Sequence, residues 1–95
     1  MTVDDMRKEL EGIISSLSSS GFNNVDSETM ERLDKTAAAA DEAGMKEGKR
    51  IIENLSGAIK AIQDGQSKEE SGHVRLTALD FYIKNLPASE HIEDI

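Results

Sequence analysis

At 95 residues the chain has room for one domain and excludes a second, since independent domains usually run to roughly 100 to 200 residues. Its 37% hydrophobic and 32% charged content is that of a soluble globular fold, and the 3% aromatic content, Phe22, Phe81 and Tyr82 alone, makes the expected core aliphatic. Eleven Lys and Arg against nineteen Asp and Glu leave a formal net charge of -8 with no basic stripe, which disfavours both phosphate-driven nucleic-acid binding and an anionic membrane surface.

No cysteine is present, so disulfides, thiolate metal sites and cysteine nucleophiles are absent. No apolar run approaches the roughly 18 to 20 residues of a membrane helix. The opening Met1-Thr2-Val3-Asp4-Asp5-Met6 turns acidic at once and lacks the order of a secretory signal. The expected setting is soluble and cytoplasmic. At this size only about 60 to 65% of the unfolded surface can be buried, so stability should be marginal and should gain from a partner or a second copy.

Between Thr2 and Ser18 the apolar residues Val3, Met6, Leu10, Ile13 and Leu17 recur at alternating spacings of three and four, with Ile14 alongside, which makes one helical stripe. Thr2 and Asp5 form a capping box at its start, and Ser18-Ser19-Ser20-Gly21 is expected to fray it. Asp26 or Ser27 then caps a second helix, with Val25 and Met30 at the hydrophobic-staple positions. Met30, Leu33, Ala37, Ala40 and Gly44 carry its stripe, and the alanines allow close approach of a neighbour at the cost of a thin core.

After Gly44, the residues Met45, Gly48, Ile51, Ile52, Leu55, Ala58, Ile59 and Ile62 repeat the helical period up to Gly65. So short a turn makes helices two and three an antiparallel hairpin. Ser67 and Glu70 supply the spacing of a capping box for the last helix, which is expected to end at about Leu86 because Pro87 disfavours helix before it. No strand pattern survives beyond a few positions. The sequence therefore predicts an all-α antiparallel up-down bundle of four helices, at about residues 2–18, 27–43, 45–63 and 68–86. Residues 1–87 form the one domain and 88–95 a flexible acidic tail.

Candidate chemistry is sparse. His73, with Glu69 and Glu70 one turn earlier, is placed at a solvated helix start and reads as a surface contact. His91 with Glu90, Glu93 and Asp94 lies in the tail, where no fixed geometry holds a cation. Ser15, Ser16, Ser18, Ser19 and Ser20 lack a nucleophile-elbow context, and the glycines form no phosphate loop. The carboxylates Asp34, Asp41 and Glu42, and Asp4, Asp5 and Glu9, have the spacing of solvent-facing residues. The basic group Lys46, Lys49 and Arg50, broken by Glu47, reads as a solvated face. No catalytic residue, cofactor, metal site or small-molecule substrate is expected, and the chain is not read as an enzyme.

Lys8-Glu9-Leu10-Glu11-Gly12, followed by Ser15, Gly21, Leu33 and the helical hairpin, resembles a histidine-phosphotransfer domain, an all-helical bundle with His-x-x-Lys-Gly on a helix. The match covers about half of the chain. Gly12 matches the motif glycine, but Lys8 stands in place of the acceptor histidine and Glu11 in place of the lysine. The resemblance implies a catalytically silent adaptor that docks a receiver-type partner of two-component signalling without accepting phosphate.

On a wheel of the fourth helix with Val74 at zero, Phe81 falls at about -20°, Ala78 at 40°, Tyr82 at 80°, Leu86 at 120°, Leu79 at 140°, Ile83 at 180° and Leu76 at 200°. This apolar arc of about 220° is twice what packing on one side of a core needs. Either the helix fills a groove and is buried all round, or one edge stays outside. In the second case Val74, Ala78, Phe81 and Tyr82 are the candidate partner-binding residues, for a protein partner or a homodimer. The function expected is that of a small acidic, non-catalytic protein-interaction module.

Overall fold

The computed structural model describes residues 2–86, which form four α-helices: α1 (Val3–Ser20), α2 (Ser27–Glu42), α3 (Lys46–Gln63) and α4 (Glu69–Lys84). No strand occurs among the described residues, and none of the helices is long and apolar enough to cross a membrane. The expected tail over 88–95, with His91, lies outside the described residues.

Local chemistry sets the helix ends. Thr2 accepts the Asp5 backbone N–H at 3.0 Å while Asp5 accepts that of Thr2 at 3.4 Å, which is the expected capping box. Asp26 caps α2 by accepting the Thr29 N–H at 2.9 Å. Positive φ at Gly44 and Gly65 lets both α2 and α3 close with the paired bonds of a Schellman turn, Met45 N–H to the Ala40 carbonyl and Gln66 N–H to that of Ala61, each 2.8 Å. The serines do not fray α1. It runs on to Ser20, whose hydroxyl donates to the Ser16 carbonyl at 2.9 Å.

Two expectations at α4 are corrected. Its cap is Lys68, with no side-chain cap bond, and Ser67 stands one position before it with its hydroxyl bonded to that of Ser71 at 2.9 Å. The helix also stops at Lys84 rather than Leu86, where the Asn85 side chain donates to the Phe81 carbonyl at 2.8 Å and takes over an end group.

Each helix contributes a buried stripe to one core. Met6, Leu10, Ile13 and Leu17 come from α1, Leu33, Ala37 and Ala40 from α2, Ile52, Leu55, Ile59 and Ile62 from α3, and Leu76, Leu79, Tyr82 and Ile83 from α4. Val25 and Met30, the staple pair, are half-buried against it. Contacts run around a ring, α1 to α2, α2 to α3, α3 to α4 and α4 to α1, with none across a diagonal among the described residues, an arrangement compatible with a four-helix bundle. Gly48 faces Tyr82 at one end of the α3–α4 pair and Ile62 faces Gly72 at the other, so these helices are antiparallel.

One end of the molecule is latched by the α1–α2 connection. Phe22 is 0% exposed there and lies against Gly72 and the edge of His73. Asn23 donates to Glu69 at 2.8 Å, and the Gln63 side chain donates to the Val25 carbonyl at 3.0 Å. The connection is thereby tied to the start of α4 and the end of α3.

Candidate interaction face on the fourth helix

The rotation of α4 is fixed by what it buries. Gly72, Leu76, Leu79, Tyr82 and Ile83 turn inward, which accounts for an arc of about 120° on the wheel. The remaining apolar edge stays outside, so α4 is not buried all round. Val74 is 60% exposed, Phe81 is 67% exposed, and Ala78 between them is exposed as well. Tyr82 leaves the candidate set: it is 2% exposed and lies over Gly48, at a place where any β-carbon would collide with its ring.

Beside this edge, Arg50, Ile51 and Asn54 of α3 meet Arg75 and Ala78 of α4 around a shallow groove of about 130 Å³. The sequence places Ile51 on the stripe of the third helix and assigns Arg75 no role. The antiparallel α3–α4 register brings Ile51 beside Arg75 and Ala78, and a register cannot be read from periodicity within one helix. Arg50 is paired with Glu47 in its own helix.

A larger cavity of about 250 Å³ lies between α2 and α3, floored by Leu33, Ala37 and Ile52. It exists because Ala37, Ser56 and Gly57 are small, as the alanine run implies. Its rim of Asp34, Glu53 and Lys60 is exposed.

The other candidates are dispersed. His73 is exposed, with its ring centroid 5.0 Å from that of Phe22 at 87°, while Glu69 is held by Asn23. Among the described residues no group of three or more His, Asp or Glu is placed to hold a metal ion. Lys49 pairs with Asp41 at 3.6 Å, so the basic group at the start of α3 is divided among acidic neighbours. Lys8 is exposed and pairs with Asp4 at 3.5 Å, and Glu11 is exposed. Gly12 leaves room for the Arg32 guanidinium, which would lie 3.2 Å from a β-carbon there as it crosses to Glu9. That hydrogen bond raises the Arg32 pKa above its ordinary value, and the Thr29 backbone N–H lowers that of Asp26. Neither group adjoins the α4 edge on the chain. Compared with known proteins, the chain matches no family model, no curated protein and no solved structure.

Proposed function

We propose that this protein is a cytoplasmic, non-catalytic interaction module that binds another protein or a second copy of itself through the exposed edge of α4. The observation that supports the reading is the outward placement of Val74 and Phe81, two large apolar side chains seven positions apart on one helix face. Burying such side chains contributes roughly 1.5 to 3 kcal/mol each, and aromatic anchors dominate interface energetics.

The test is Phe81→Asp. Association, followed as molar mass by light scattering across a concentration series and by capture of partner proteins, should be lost. Far-UV helicity should stay, with the unfolding free energy changed by only about 0.5 kcal/mol, as for an exposed position. Unchanged association would remove the α4 edge from consideration, and loss of helicity would return Phe81 to the core.

A further inference from the structure

We infer that the occupant of this edge is α4 of a second copy, packed antiparallel across a twofold axis, with Phe81 of each protomer against the partner's Val74. The inference rests on the interaction reading above and names its partner. Val74 and Phe81 lie within about 20° of each other around the helix, and Ala78 about 40° to one side, so the strip is straight and about two turns long. A twofold axis between Thr77 and Ala78 makes such a strip self-complementary, since an isologous contact must pair one end of a patch with the other.

Charge selects this direction. On the flank of the strip away from Ala78, Glu70 lies about 40° and Lys84 about 80° from Val74, with Thr77 between them. Two antiparallel helices related by a twofold axis set like flanks together. Glu70 then comes within one residue of level with the partner's Lys84, and the pair occurs twice. A parallel twofold arrangement would instead carry the partner's copy of this flank to the far side of the contact, so that Glu70 meets no Lys84 of the partner. Glu70 is exposed and, among the described residues, has no ion-pair partner of its own. Lys84 contacts Asp80 at 3.0 Å in an exposed pair that water weakens, and it can be shared. The helix dipoles also oppose favourably in this arrangement.

The rest of the molecule does not forbid the approach. The chain carries -8, yet α4 holds Glu69, Glu70 and Asp80 against Arg75 and Lys84, a local balance of three acidic to two basic residues. Screening over about 10 Å at 0.1 M salt weakens the repulsion between the remaining charges. A contact one helix wide falls below about 1,200 Å² of total buried surface, so the dimer is a weak, reversible one.

The experiment is sedimentation equilibrium of the full chain from about 10 µM to about 1 mM, a range suited to an interface of that size. The wild type should move from monomer towards dimer. Glu70→Lys alone makes both cross-pairs cationic and Lys84→Glu alone makes both anionic, so each should weaken the dimer about tenfold. An equimolar mixture of the two variants restores opposite charges at both contacts and should associate as the wild type does. Circular dichroism of each variant verifies that the fold is retained. A mixture no better than its components overturns the antiparallel register. A wild type that stays monomeric throughout overturns the second copy as occupant but leaves the α4 edge open to Phe81-dependent capture of another protein. A dimer indifferent to Phe81→Asp overturns the α4 contact between copies, and capture of other proteins equally indifferent to it overturns both readings.

Discussion

Gly48 and Gly57 occupy the same helix but meet opposite surroundings. A β-carbon at Gly48 would fall 2.5 Å from the Tyr82 hydroxyl oxygen and 3.0 Å from its Cζ, whereas one at Gly57 would meet nothing within 4 Å. Alanine is favoured over glycine inside a helix by about 1 kcal/mol, so at Gly57 that preference acts unopposed. Gly57→Ala is expected to raise the unfolding free energy by about 0.5 to 1 kcal/mol, and Gly48→Ala to lower it by about 1 to 3 kcal/mol through overpacking of a buried ring. Urea titrations of the two variants check the pair, and stabilisation by both would mean that Tyr82 yields. The sequence does not distinguish these glycines, because what separates them is a side chain on another helix. Thr36 was overlooked for a related reason. It is fully buried although polar, its hydroxyl donating to the Leu33 carbonyl at 2.9 Å so that the methyl faces the core.

Helix ends were the most legible feature, since a cap is decided within four residues. Thr2 and Asp26 do what their spacing implies. Ser67 does not, because the helix starts one position later, with Lys68 as its cap, and the Ser67 hydroxyl bonds to that of Ser71 instead. The Asp26 cap carries a pH dependence. Its carboxyl is held below the ordinary 3.8, first of all by the Thr29 backbone N–H. A group with a depressed folded value contributes stability that is complete above its unfolded pKa and is lost as pH falls through the folded one. Asn caps nearly as well but does not titrate in this range. The stability of the wild type relative to Asp26→Asn should therefore decline from about pH 4 downward. Urea midpoints of both proteins at neutral pH and at about pH 3 measure it, and a difference that does not change with pH would disconnect the cap from the ionised carboxylate.

For the whole molecule, four helices and most of the core followed from period alone. Leu10 and Leu33 stand on the stripes where alternating spacings of three and four put them, and Leu55 on the helical period of α3. The division of α4 did not follow. Its apolar arc announced surface to spare, but which edge remained outside depended on how α1 and α3 flank it, and Tyr82 turned inward because Gly48 offered the space.

The latch at Phe22 bears on the order of assembly. Its seat is made by Gly72 and His73, roughly 50 residues further along the chain, where Ile62 of α3 packs over the same glycine, so it is complete only once α3 and α4 have paired. The α3–α4 hairpin closes a short connection, whereas seating Phe22 closes a long one. Phe22→Ala should cost about 3 to 5 kcal/mol, nearly all of it as faster unfolding, with a φ-value near zero. Stopped-flow refolding and unfolding arms measure that partition, and a φ-value near one would reverse the order. Emergence from the ribosome and docking then run in opposite directions: α1 is made first, yet it must wait for the last third of the chain to build the place that holds it.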